Sequence, residues 1–332
     1  MEKLNLGTIG TSWITDSFIQ AALDTGRYEL KLVYSRNEEN GKKFGSKYGD
    51  IAVETDLDTF VNNEDLDVIY IASPNSLHYE QAMLALKAKK HVMVEKPAST
   101  NVEQWDDMLK TAKENNVFVL EAARHMHIPN LEKISEEVTN LEEVLGAVFS
   151  FAKYSSKYDS VLAGEEPNIF SLKFAGGALM DLGIYPVYTS VALFGEPKEA
   201  IYYPRRVRTG VDGIGTVILR YEDFDVTILI GKIASSFYEA EIYGLKETLI
   251  IDQVTNLNEA KRVDHKTLEE QEVSLAEQHE NNMFYEAEAL AKMIETKDEP
   301  QTIQRYKELS DLARIVSGLL NKMLTDAGIT FE

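Results

Sequence analysis

Several groups of residues in this chain have the chemistry to bind or convert a small molecule. Glu95-Lys96-Pro97 sets a carboxylate beside an ammonium where a β-rich run stops, and Ser35-Arg36 closes another such run with a hydroxyl and a guanidinium. Asp181 and Tyr185 stand four residues apart in an apolar helical pattern, which puts both on one helix face. A lysine can hold a reacting oxygen by charge and hydrogen bond, while a nearby phenol exchanges the proton. The lysine's charge also lowers the phenol's pKa, which poises it for that exchange. Such a pair suits hydride transfer at a secondary alcohol, where a proton must move on or off the oxygen. Asp181 could orient substrate hydroxyls or balance Lys96. Each residue has a plainer alternative. Lys96 could be a solvated strand end, Tyr185 a core aromatic among Ile184, Val187 and Val191, and Asp181 an acid favoured by the helix dipole.

Hydride chemistry needs a cofactor site. Gly10-Thr11-Ser12-Trp13-Ile14-Thr15 joins a first strand to a first helix, the place of the dinucleotide fingerprint G-x-G-x-x-G. Only the first glycine is kept; Ser12 and Thr15 replace the others. A serine is small and can hydrogen-bond a phosphate oxygen, so the site is weakened and not excluded. An acidic residue at the end of the second strand would bind the ribose of NAD, whereas Ser35-Arg36 suits the 2′-phosphate of NADP. The alternative has Ser35 capping the next helix with Glu38, and Arg36 solvated. NADP is expected, with NAD possible.

These residues need elements to position them. Leu4–Gly10, Leu30–Tyr34, Asp67–Ala72, His91–Val94 and Val117–Glu121 read as strands. Helices read over Trp13–Asp24, Glu38–Tyr48, from Ser76 to the lysines near 90, and after a capping box of Thr100 and Glu103. Strands alternating with helices predict βαβ units and a parallel sheet. Beyond about residue 124 strands dominate: Val144–Tyr154, Glu199–Arg206, Ile214–Tyr221, Asp225–Ile233, Tyr238–Tyr243 and Thr248–Ile251, with Asp212-Gly213 either a hairpin-type turn or part of a longer loop. A helix over Met180–Leu193 and two terminal helices with apolar stripes complete the pattern. The fold class expected is α/β: an N-terminal Rossmann doubly wound parallel sheet over 1–123, and a C-terminal α+β domain over 124–332 with a large, mostly antiparallel open sheet. The last helices are free to pack back on the first domain.

Composition narrows the functions. The 332 residues, 44% hydrophobic and 27% charged, fit about two globular domains of roughly 150 residues each. There is no cysteine, which removes disulfides, thiolate nucleophiles and cysteine-ligated metals. His125 and His127 lack a third ligand at suggestive spacing, so a loop or substrate-pocket role is expected and no metal. With 34 basic against 55 acidic residues the net charge is −21, which repels nucleic acid and anionic membranes. Uninterrupted apolar runs such as Val68–Ala72 are short, and the N-terminal residues show no signal core, so a cytoplasmic protein is expected.

Ser73-Pro74-Asn75-Ser76-Leu77-His78, then Ala85-Leu86, then Lys90-His91-Val92-Met93-Val94-Glu95-Lys96-Pro97 resemble a family pattern. The pattern is T-P-N-x-x-H, A-L and G-K-H-V-x-x-E-K-P of the glucose-fructose oxidoreductase / inositol dehydrogenase (Gfo/Idh/MocA) family. Glu121-Ala122 with Arg124, Gly176-Gly177 through Asp181, Gly183, Tyr185 and Pro186, and Phe194-Gly195-Glu196-Pro197 extend the resemblance along the chain. Tyr185 stands where inositol dehydrogenase-like members carry histidine. It resembles the glucose-fructose oxidoreductase and dihydrodiol dehydrogenase branches, whose tyrosine is the proposed proton-transfer residue.

The resemblance implies catalytic roles for Lys96, Tyr185 and Asp181. It implies a cofactor site of Gly10, Thr11, Ser12, Trp13 and Ile14, with Ser35 and Arg36, then Ala72, Ser73, Pro74, Asn75 and His78, and finally Glu95, Lys96 and Arg124. It also implies a cis Lys96–Pro97 peptide, a hydroxylated substrate (sugar, polyol or dihydrodiol) and a homodimer or higher homo-oligomer through the C-terminal sheet. The rival reading is a non-catalytic dinucleotide sensor of the same fold; the degenerate glycine turn argues mildly for it, and Lys96, Asp181 and Tyr185 all being present argues against it.

Overall fold

Continuous apolar runs such as Val68–Ile71, buried along their whole length, are the mark of strands covered on both faces. A computed structural model describing residues 2–331 shows them forming a six-stranded sheet. Its strands are β1 (Leu4–Ile9), β2 (Tyr28–Tyr34), β3 (Ala52–Glu54), β4 (Val68–Ile71), β5 (His91–Glu95) and β6 (Val119–Ala122). The order is β3-β2-β1-β4-β5-β6 and every pairing is parallel. Chain direction across the sheet reverses beside β1, where β4 pairs with it. Helices α1 (Trp13–Asp24), α2 (Glu38–Gly45), α3 (Leu57–Val61), α4 (Asn75–Lys87) and α5 (Val102–Glu114) supply the crossovers.

This sheet belongs to a compact unit of residues 2–124 together with 279–314. The late segment contributes α9 (Met283–Glu295) and the first half of α10 (Pro300–Asp326). It is tied in by polar contacts as well as by apolar faces. The Tyr28 hydroxyl donates to the Ala287 carbonyl (2.7 Å), the Trp105 indole to Ser310 O (3.1 Å), and the Asn281 amide to Ser17 O (2.8 Å).

The second unit takes residues 125–278 and those from 315 on. Its sheet runs β14-β13-β12-β11-β7-β10-β9-β8, antiparallel except where β10 meets β7. The strands are β7 (Val144–Ala152), β8 (Glu199–Arg206), β9 (Asp212–Arg220), β10 (Asp225–Gly231), β11 (Ala240–Gly244), β12 (Glu247–Ile251), β13 (Ala260–Asp264) and β14 (Glu270–Glu272). Alternation along β10 buries Val226, Ile228 and Ile230 completely and leaves Thr227 and Leu229 partly exposed on the other face. The helices are α6 (Pro129–Thr139), α7 (Lys157–Leu162) and α8 (Ile184–Phe194).

Some local expectations need correction. Asn101, not Thr100, caps α5: its side chain accepts the Gln104 N–H at 2.9 Å, and Gln104 reaches back to the Thr100 N–H. Asn37, not Ser35, caps α2. Asp212-Gly213 opens β9 instead of forming a hairpin turn or lying in a longer loop, because residues 207–211 make the bend with Gly210 at φ +89°. The run Leu172–Phe194 is long and apolar enough to cross a bilayer by length and composition, more than the short apolar runs suggest. Most of its apolar window (67%) is buried inside the protein, as in a core helix.

Candidate active site

Because the first sheet is parallel, the carboxyl ends of its strands share one edge, where such folds take ligands. The sequence-predicted cofactor residues fall on that edge in order. Ser35-Arg36 follows β2, Gly10 to Ile14 follow β1, Ala72 to Asn75 follow β4, Glu95-Lys96 straddles the end of β5, and Arg124 follows β6.

Gly10 meets two demands there. Its φ is +117°, and a Cβ would lie 2.7 Å from the Ala72 carbonyl oxygen. The Ala72 N–H, for its part, donates to Ile9 O at 2.9 Å, which holds β4's end against β1's. Gly10 therefore makes the tight strand-to-helix turn that the first fingerprint position requires. Thr15, at the third glycine position, is fully buried, while Ser12 and Trp13 (79%) are exposed at the start of α1. Ser12 gives α1 no side-chain cap. Thr11 and Ile14 are half-buried.

After β2, Ser35 is buried and its hydroxyl bonds the Asn37 carbonyl (2.8 Å). Arg36 is exposed and makes no hydrogen bond or ion pair among the described residues. A bare guanidinium here, with no acidic residue at the strand end, fits a phosphate.

After β4, the buried His78 ties two loops together. Its Nδ1 lies 2.8 Å from Pro97 O and its Nε2 2.8 Å from Ser73 O. Burial lowers its pKa, opposed by these two carbonyls. The Ser73 hydroxyl donates to Gln81 (2.7 Å). The Lys96–Pro97 peptide is cis, as expected.

Around Lys96 sit more acids than the sequence reading found. Glu95 is buried; it accepts the Tyr70 hydroxyl at 2.6 Å and, at 3.2 Å, the Lys96 N–H. Burial raises its pKa, against the pull of Lys96, Tyr70 and Arg124. Glu121 accepts the Ala98 N–H at 2.6 Å and is pushed up to about 7 by burial. Glu286, in the first turn of α9, is fully buried, and neither carboxylate oxygen has a hydrogen-bond partner among the described residues. Burial and the charge of Glu95 raise its pKa well above the ordinary carboxylate range, with Arg124 and Lys96 opposing. Glu286 was visible in the sequence as one acid inside the apolar stripe of Met283, Ala287 and Leu290.

In the second unit, Asp181 lies on a π-helical turn, Leu179–Gly183, and Tyr185 is the second residue of α8. The wider turn means that the two do not share one regular helix, as the spacing predicted. Tyr185 is 9% exposed. Its ring packs 4.9 Å from that of His125 and edge-on to Phe151 at 5.4 Å, and its carbonyl accepts from His125 Nε2 at 3.1 Å. Asp181 forms an ion pair within its own unit, with Lys232, a fully buried lysine that the sequence reading missed. No group of three metal-ligating side chains occurs among the described residues.

Comparison with known proteins agrees with this layout. Residues 4–123 match the oxidoreductase family with an NAD-binding Rossmann fold, and residues 142–250 match the GFO/IDH/MocA C-terminal domain. The chain is 34% identical over 329 residues to an uncharacterized oxidoreductase, YgjR, of Escherichia coli, covering 99% of this chain and 98% of that one. It is 35% identical over 292 residues to the scyllo-inositol 2-dehydrogenase (NADP(+)) IolU of Bacillus subtilis, covering 88% of each. In fold it is similar to KijD10, a 3-ketoreductase from Actinomadura kijaniata solved with TDP-benzene and NADP (TM-score 0.83, 20% identity, 98% of each chain). With both halves matched and the strand-end residues in register, the chain belongs to the Gfo/Idh/MocA family of NAD(P)-binding oxidoreductases.

Proposed function

We propose that this protein is an NADP-dependent dehydrogenase or reductase acting on a secondary alcohol or carbonyl of a sugar, polyol or dihydrodiol. The observation that carries this reading is Lys96 at the carboxyl end of β5, on the same sheet edge as the glycine turn and the bare Arg36. The name of the Bacillus subtilis relative, with its polyol and NADP, supports it. Gly10 to Ile14 and Ser73 to Asn75 would bind the dinucleotide, and Ser35 with Arg36 its 2′-phosphate. The bound nicotinamide supplies or accepts the hydride. Lys96 holds the substrate oxygen and stabilises negative charge on it. Tyr185 gives that oxygen its proton or takes it away, and Asp181 accepts a hydrogen bond from a neighbouring substrate hydroxyl. A second copy of the chain is the partner proposed for the open sheet face bearing Thr227 and Leu229, a question that sedimentation answers. Ser12 and Thr15 in place of glycines favour the rival, a sensor that binds dinucleotide without turnover.

A panel of polyols, aldoses and dihydrodiols followed by NADPH absorbance separates the two. Turnover by the wild type supports the enzyme, and tight NADPH binding with no turnover across the panel supports the sensor. In the enzyme, Tyr185→Phe is expected to lose about 10²–10⁴-fold in rate with NADPH affinity intact. Arg36→Ala is expected to weaken NADPH by about 1.5–3 kcal/mol and to spare NADH. Equal losses for the two cofactors would overturn the NADP assignment. Near-wild-type turnover by Tyr185→Phe, with chemistry rate-limiting, would make the phenol a packing residue.

A further inference from the structure

The turn that carries Asp181 is fastened by two buried charges from the sheet beneath it. β9 and β10 are antiparallel, and Asp212 opens the first while Lys232 directly follows the second. The Lys232 N–H donates to Gly213 O at 2.7 Å, so the two charged residues stand beside one another at one end of the strand pair. Both are essentially inaccessible, at 0% and 1% exposure.

Asp212 grips the start of the turn. Its Oδ2 accepts the Leu179 N–H at 2.7 Å and the Tyr202 hydroxyl at 2.6 Å. Its Oδ1 sits against Gly177, whose φ is +128° and whose Cβ, were there one, would lie 2.0 Å away. Lys232 grips the turn two residues further on. Its ammonium pairs with the Asp181 carboxylate, donates to Ile169 O at 3.4 Å, and lies 5.0 Å above the Phe170 ring.

A buried ammonium is expensive. Desolvation costs several kcal/mol per ion, and well-packed apolar residues of similar size often serve stability as well or better. Fold stability alone therefore gives no reason for a buried lysine beside the Phe170 ring. Orientation does. An ion pair with a fixed partner allows Asp181 one direction, and the side chain of Asp181 keeps 32% of its surface open.

We propose that Lys232 is a positioning residue: backed by Asp212 on the adjoining strand, it aims the Asp181 carboxylate at the substrate's hydroxyl groups. The proposal rests on the enzymatic reading for what Asp181 binds, and on the pairing alone for how Asp181 is held.

The test is a cycle of Lys232→Met, Asp181→Asn and the double variant in the full-length chain. It is read first by thermal unfolding without ligands. Asp181→Asn leaves the buried Lys232 ammonium without its carboxylate, and Lys232→Met leaves the partly exposed Asp181 carboxylate without its ammonium. Each should therefore melt lower, the first more than the second, while the double variant should recover most of the loss. Additive losses would overturn the proposal. If Lys232→Met fails to fold, the double variant decides: restored folding supports the pairing, and continued failure overturns it.

The second reading is kinetic. Lys232→Met should raise KM for the hydroxylated substrate by about 10–100-fold, the range for a hydrogen bond to a charged group, with the NADPH dissociation constant unchanged. In the Asp181→Asn background it should cost almost nothing further in kcat/KM. An unchanged KM, or an equal loss in that background, overturns the positioning role. If the wild type turns over nothing in the panel, the enzymatic reading fails, while the unfolding cycle still decides the pairing.

Discussion

Replacing Glu121 with glutamine removes one titrating group from the first unit and keeps its shape. The wild-type carboxyl is pushed from an ordinary 4.5 up to about 7, first by burial and also by the charge of Glu95, against the Ala98 N–H and Lys96. A folded-state value above the unfolded one means that the native chain holds an extra proton between those limits. The associated stability is complete below about pH 4.5 and is lost as the pH rises through about 7. The gap corresponds to about 3.4 kcal/mol, at about 1.36 kcal/mol per pH unit. Glu121 keeps part of its surface in solvent, which screens the charge, so about 1–3 kcal/mol is the expected effect.

Glutamine cannot ionise, yet its oxygen can still accept the Ala98 N–H. The stability of Glu121→Gln should therefore gain on the wild type by about 1–3 kcal/mol between pH 4.5 and 8.5. Urea unfolding of the cofactor-free proteins at half-unit pH steps measures this. Both tryptophans, Trp13 and Trp105, lie in the first unit, so intrinsic fluorescence reports on the right part of the molecule. Titration of His78 and His91 is common to the two proteins and largely cancels in the difference. Parallel stability curves across that range would refute the reasoning, because Glu121 would then ionise alike in the folded and unfolded chains.

Gly10→Ala places a methyl group 2.7 Å from the backbone carbonyl oxygen of Ala72 at a φ of +117°. It should lose about 1–3 kcal/mol in urea unfolding and bind NADPH at least about tenfold more weakly by fluorescence titration. Tyr202→Phe removes one of the two hydrogen bonds to the buried Asp212 Oδ2. It should cost about 1–3 kcal/mol, and an unchanged melting temperature would show that Asp212 does not depend on the phenol.

The strands of the first sheet were legible because each is a short apolar run bounded by turn residues, and β1, β2, β4 and β5 lie within two residues of their expected limits. β3 and α3 were not, since three and five residues are too few to show a period. The strand-end residues could be read because a parallel sheet carries every carboxyl end to one edge, so position along the chain translates directly into position along the site. Lys232, Asp212 and Glu286 had no such route. A lysine and an aspartate at strand ends read as surface groups until the β9–β10 register sets them side by side beneath the turn carrying Asp181. Glu286 belongs to a helix whose place beside the first sheet depends on a return of the chain after the whole second sheet. The π turn was hidden as well, because its residues have the composition of the α-helix it continues.

The discontinuity of the first unit bears on how the protein is made. Translation delivers all six parallel strands before any of the 154 residues from 125 to 278, and only then α9 and the start of α10. Until those appear, the Tyr28 hydroxyl and the Trp105 indole lack their acceptors on Ala287 and Ser310. The unit begun first is therefore completed only with residues 279–314, after most of the second unit has been made. A nascent chain stalled before residue 279 presents an unfinished surface to chaperones and proteases, however well its sheet has formed.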